Sequence, residues 1–149
     1  MSLSEAQLNR VQRMTRDEWE SEDELWQFFE TVTDAEELHL YADGFNWDTG
    51  VEELRRVTRH PLCDRGTALL IYWRGGPGWY AQYSDRAEIR SADEADGYDL
   101  SQEIERLIIQ GRFATYRFHY DPTNDRGTDL TRGPSDVPQV RQIPREMFA

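Results

Sequence analysis

From Leu8 to Ile108, apolar residues recur at three- and four-residue spacing, the period of helices with one wet and one dry face. Leu8, Val11 and Met14 predict a first short helix from about Glu5 to Met14. Ser21 followed by Glu24 is a capping box, in which side chains satisfy the free donors of the first turn. Leu25, Phe28, Phe29 and Val32 then fall on one face. Thr33 with Glu36 repeats the start signal, with Ala35, Leu38, Tyr41 and Ala42 inward and Gly44 placed for a left-handed ending. Asp48 or Thr49 is expected to cap a helix through about Arg59, burying Val51, Leu54 and Val57. His60-Pro61 closes it, because a residue before proline is pushed out of the helical region.

Asp64 caps the next segment, which holds six apolar residues in succession from Ala68 to Trp73. Such a run fits a helix buried on all sides or a buried strand. The cap upstream and Gly75, Gly76 and Gly78 downstream favour a central helix. Trp79 to Arg90 carries no clear period, and Ser91 to Tyr98 reads as an acidic exposed loop. Asp99 or Ser101 opens a last helix with Ile104, Leu107 and Ile108 inward, ending at Gly111. Thr115 to Tyr120 alternates and looks like a short strand. Four prolines and two glycines follow Asp121. The chain is therefore expected to be mainly α, a compact single-domain bundle of five to six helices with an irregular C-terminal tail. Residues 1–20 form a helical extension, 21–120 the helical domain, and 121–149 a tail packed on it or trailing from it.

Composition narrows the function classes. The chain has 149 residues and a net charge of -12, and all 17 basic residues are arginine. No lysine means no Walker-A lysine and no Schiff-base chemistry. One cysteine excludes an internal disulfide, and no stretch approaches a membrane span or a secretory signal, so a soluble, cytoplasmic protein is expected. Between Arg16 and Glu53 fourteen acids stand against a single arginine. That field repels nucleic acid and anionic lipid and favours a basic protein partner.

Two motifs stand out: Asn46-Trp47-Asp48-Thr49-Gly50, and Cys63-Asp64-Arg65-Gly66-Thr67-Ala68-Leu69-Leu70. With them the chain resembles a small bacterial family known as a domain of unknown function, whose members carry N-W-D-x-G and then C-D-x-G-T-A-L. The resemblance runs from about Glu37 to Trp73, and more loosely through Tyr120-Asp121-Pro122. It implies a compact, mostly helical bacterial protein and brings no established reaction. Similar small acidic proteins occur among immunity proteins of toxin systems.

Each motif has a structural and a chemical reading. Asn46, Trp47, Asp48 and Gly50 make either a helix start or a polar site with Asp48 as base or ligand. Cys63, Asp64, Gly66 and Thr67 make a second start, or, with His60 three residues before Cys63, a cysteine–histidine nucleophile. Leu62 points to burial of this stretch, and Asp64 beside the thiol opposes its ionisation. His39, His60 and His119 form no metal-binding spacing, Asp121 to Asp129 fails the calcium-loop register, and neither metal nor cofactor is expected. Arg74-Gly75-Gly76-Pro77-Gly78 is a helix terminator before an anion site. Trp73, Trp79, Tyr80 and Tyr83 surround it, and with Arg74 would form a binding patch if exposed together. The sequence thus favours a non-enzymatic acidic module that docks a basic partner, as an immunity protein occludes a toxin. Its face is Asp17, Glu18, Glu20, Glu22, Asp23, Glu24, Glu36 and Glu37, with Asp43 and Glu53 at the edge. The alternatives are a small hydrolase or metal-dependent enzyme around Asn46, Asp48, Cys63 and Asp64, and a homodimeric scaffold.

Overall fold

The computed structural model describes residues 3–148. Its elements, in chain order, are α1 (Glu5–Thr15), α2 (Glu22–Thr31), α3 (Ala35–Asp43), α4 (Glu52–Arg59), α5 (Arg65–Arg74), α6 (Pro77–Tyr80) and α7 (Ala92–Ile109). Short 3-10 turns occur at Trp47–Thr49, Arg86–Glu88 and Arg145–Phe148. The fold is mainly helical, as the periodicity predicts, with one helix more than the upper expectation. The extra one is α6, a single turn with Pro77 at its start, where a missing N–H costs nothing.

Helix α5 sits at the centre. Gly66 to Trp73 are all buried, so no face of the helix is wet. Around it pack α3, α4, α6 and α7, while α1 lies against α3 with Val11 and Met14 in the core. Phe28, Phe29 and Tyr41 add an edge-to-face aromatic cluster, with Phe29 and Tyr41 centroids 5.2 Å apart at 85°. No described helix is long and apolar enough to cross a membrane.

Several local expectations need correction. Asp34, not Thr33, caps α3: its side chain accepts from Glu36 N, and Glu37 reaches back to complete the box. Gly44 ends α3 at φ -96°, so no left-handed residue is used there, whereas Gly111 at φ 68° does end α7 that way. Neither Asp48 nor Thr49 caps α4. A 3-10 turn and Gly50 at φ 101° intervene, and α4 starts after Val51 with no side-chain cap. Leu62 is an exposed residue at the surface rather than an entry to the core.

Ser91 to Tyr98 is helix, not loop. Ser91 accepts from Glu94 N, and α7 runs two turns further toward the N-terminus than its apolar residues announce. Thr115 to Tyr120 is not a strand. The described residues hold no strand, and the one isolated bridge pairs Asp125 with Thr128. The alternation of that segment instead serves Asp64, which gathers its backbone.

The chain beyond Asp121 is irregular but fastened. Val140 N and Arg141 N both donate to Ala81 O at 2.9 Å, and Gln139 Nε2 donates to Gly78 O at 3.0 Å. Gly78 and Gly133 touch through their Cα atoms, leaving no space for a side chain on Gly78. Met147 is fully buried, its carbonyl accepts the Trp73 indole N–H at 2.7 Å, and Phe148 packs edge-on to Trp73.

Candidate functional site

The second motif forms a polar node at the start of α5. Asp64 is fully buried. Its Oδ2 accepts from Gly66 N and Phe118 N, each at 3.0 Å, and its Oδ1 accepts from Thr115 Oγ1 and Arg117 N, each at 2.7 Å. A carboxylate has about four lone-pair sites, so the group is saturated. Burial opposes its charge, but the bonds from Thr115, Arg117, Phe118 and Gly66 outweigh it and hold the carboxyl below its ordinary range. Arg65 N donates to Thr115 O at 2.9 Å, and Thr67 Oγ1 pairs with His39 Nδ1 at 2.9 Å. The His39 ring in turn stacks on Phe118, centroids 4.6 Å apart. The node lashes residues 115–118 to the central helix.

Cys63 beside it is buried in the core, and its thiol donates to Asp64 O at 3.5 Å. Burial, aided by the Asp64 charge, pushes the thiol well above its ordinary range. His60 is no partner for it. Its Nε2 lies 2.9 Å from Phe29 O and its Nδ1 accepts from Leu62 N at 3.0 Å. Both ring nitrogens are spent, which places the proton on Nε2. The cysteine–histidine arrangement does not exist.

The first motif behaves differently. Asn46 Oδ1 accepts from Asp48 N at 3.0 Å and Asn46 O accepts from Thr49 Oγ1 at 3.0 Å, so Asn46 is the capping residue of the turn. The Asp48 carboxylate takes no hydrogen bond from any described residue and is exposed. It borders a cavity of about 410 Å³ between this turn, the C-terminal half of α5 and the N-terminal half of α7. Trp47, Tyr72 and Tyr80 bring aromatic surface to it, Ile71, Leu100 and Ile104 aliphatic surface, and Asp93 and Asp96 two more carboxylates. Gly75 and Gly97 make the space: the tip of the Trp47 ring lies against Gly75, and the Tyr80 phenol fills the position a Cβ would take on Gly97. Ser101 also lines the cavity and is 5% exposed; its hydroxyl makes a weak contact with Tyr72 Oη, and no donor among the described residues reaches its Oγ. Tyr72 Oη nearby donates a hydrogen bond to buried Glu105 at 2.7 Å, and Arg141 pairs with the same carboxylate at 3.2 Å.

A family described as a domain of unknown function (DUF4274) matches residues 33–109, half of the chain. The chain belongs to that family. No curated protein and no solved structure matches it. The DUF4274 segment spans α3 to α7 and contains both motifs and every residue that lines the cavity. The partners of Asp64 at 115–118 lie beyond it. Asp93, Asp96 and Ser101 are the site residues that the periodicity misses. The signal for them is Ser91-Ala92-Asp93-Glu94, a further S-x-x-E start.

The predicted acidic face lies mostly before the DUF4274 segment, and the structure divides it. Asp17, Glu18, Glu20, Glu22 and Asp23 are exposed at the corner between α1 and α2. Among the described residues, the only ion pair of these five is Glu18 with Arg16, at 4.0 Å. Glu24 is spent on Arg13 at 2.6 Å and on Glu20 N at 2.9 Å. Glu37 is buried, accepting from Thr33 N and Asp34 N, because it completes the α3 cap; it belongs to no surface. Glu36 is half-buried beside that cap. Arg74 leaves the expected aromatic patch as well. Its guanidinium is bidentate to Asp125 at 2.8 and 3.0 Å and donates to Asp43 O at 3.0 Å, while Trp73 is buried and Trp79 lies at the surface.

Proposed function

We propose that the chain is a non-catalytic acidic binding module that docks a basic protein partner, in the manner of an immunity protein occluding a toxin. The observation that carries this reading is the α1–α2 corner, where Asp17, Glu20, Glu22 and Asp23 stand exposed with no cation within 4.0 Å among the described residues. Unneutralised charge at one corner steers association with a protein of opposite sign and loses that effect as salt screens it. The competing hydrolase needs Asn46, Asp48, Cys63 and Asp64 to converge. Asp64 is saturated, Cys63 is buried with its thiol held protonated, and Asn46 caps its own turn. Of these four residues only Asp48 borders the open cavity.

The test measures association of an oligoarginine peptide with the full chain over a range of salt. Reversing Glu20, Glu22 and Asp23 to arginine should slow association about tenfold at low salt, a loss of electrostatic steering. Reversing the equally exposed Glu5 and Asp136 should leave it nearly unchanged. Equal effects of the two sets, or none from the first, overturn the reading.

A further inference from the structure

The cavity beside Asp48 carries chemistry that docking at the α1–α2 corner does not use. Its volume of about 410 Å³ lies within the range of small-ligand sites, about 300–1,000 Å³. No arginine or histidine lines it, so the carboxylates of Asp48, Asp93 and Asp96 face it without a basic side chain among them. Beneath them lie the rings of Trp47, Tyr72 and Tyr80, whose faces carry negative potential. Ser101 adds a buried hydroxyl, 5% exposed, whose oxygen receives no hydrogen bond from any described residue, because the neighbouring Tyr72 hydroxyl donates to Glu105 instead. A buried polar atom left unpaired costs about 1–3 kcal/mol, and a ligand that supplies the missing partner recovers it.

These features select among ligands. An anion meets three like charges. A neutral apolar molecule leaves the Ser101 hydroxyl unpaired. A bare metal ion needs closely grouped donors, and among the described residues no three His, Cys, Asp or Glu side chains are placed to hold one. An alkyl chain ending in a cation satisfies all of it: the stem lies on Ile71, Leu100 and the rings, the carboxylates neutralise the charge, and an N–H reaches Ser101 Oγ.

We infer that the cavity bounded by Asp48, Asp93, Asp96 and Ser101 binds an organic cation, a guanidinium or primary ammonium on an alkyl stem. The cation comes either from a free small amine or from an arginine side chain presented by another protein. The site is separate from the acidic corner, so one can fail while the other stands.

Titration of the full isotope-labelled chain, followed by amide and indole NMR shifts, tests it with two probes: agmatine, and a capped peptide with one arginine between glycines. Saturable shifts are expected at Gly50, Gly75, Gly97 and the Trp47 indole, with a dissociation constant of about 1 mM or tighter. Asp48→Asn and Asp93→Asn should each weaken binding about fivefold, and Ser101→Ala, which removes only a weak contact with the Tyr72 hydroxyl, by a similar factor. Glu22→Arg with Asp23→Arg should leave this affinity unchanged. A peptide at least as tight as agmatine assigns the cation to a protein partner; agmatine binding without the peptide assigns it to a free amine. No saturable shift with either probe, or shifts confined to residues 17–23 and indifferent to Asp48, Asp93 and Ser101, overturns the inference.

Discussion

Gly66 faces the carbonyl of Phe118 so closely that a β-carbon on Gly66 would overlap backbone atoms. Neither side can yield, because Phe118 is held by Asp64 and Gly66 by its helix. Gly66→Ala should therefore destabilise the fold by about 1–3 kcal/mol, as overpacking does. Urea unfolding with an unchanged midpoint would show that the 115–118 segment can shift freely.

Asp64→Asn replaces one charged acceptor oxygen with a donor, which turns an N–H toward two existing donors. The expected loss is about 2–4 kcal/mol, from bonds to a charged group and donors left unpaired. The acid dependence follows. Because Asp64 has its folded carboxyl held below the ordinary 3.8, its stabilisation is complete above that value and is lost as pH falls through the folded one. Stability of the native chain should thus drop steeply below about pH 4, and the variant should show a shallower slope there. Parallel slopes from thermal unfolding at several pH values would sink this account.

His39 shifts downward as well, first through burial and with help from Arg74, against the opposing charges of Asp43, Asp64 and Glu36. The unfolded chain binds the proton more readily, so stability rises with pH up to the ordinary value of 6.5 and falls as the solution is acidified below it. His39→Gln, which keeps a polar partner for Thr67, should flatten the curve on the acid side of 6.5. A His39 ring that titrates by NMR at or above 6.5 contradicts the prediction.

Cys63 should be inert in the native protein. Buried and held as a thiol, it reacts only through opening of the fold. Iodoacetamide at mildly alkaline pH should label it about as slowly as the core amides exchange, and at once in urea. Rapid stoichiometric labelling without denaturant would place the thiol at the surface.

The helical core was largely legible, because helix starts and apolar periods are local signals. Ser21 and Asp64 cap α2 and α5 and the run Ala68 to Trp73 is buried helix, but the Ser21 capping box is incomplete, because Glu24 accepts from Glu20 N rather than from Ser21 N. The N-terminal half of α7 escaped because Asp93, Asp96 and Tyr98 break the apolar period, since they line a cavity or its edge rather than the core. Asp48 looked like a cap because aspartate before a helix usually is one; the 3-10 turn and Gly50 move it out of reach of α4. Thr115 to Tyr120 alternates, but what organises it is a carboxylate 51 to 54 positions away, which no local pattern reveals. Glu37 counted as surface charge until its role in a cap buried it.

The indole of Trp73 has consequences for how the protein assembles. Its acceptor, the carbonyl of Met147, lies 74 positions along the chain. The helices can coil through neighbouring contacts, yet the most enclosed of them keeps one donor stranded until the segment around Met147 docks. Closing so long a loop is a late and slow event relative to helix formation. Release of that contact uncovers the indole, and exchange of the Trp73 indole hydrogen reports how often it opens.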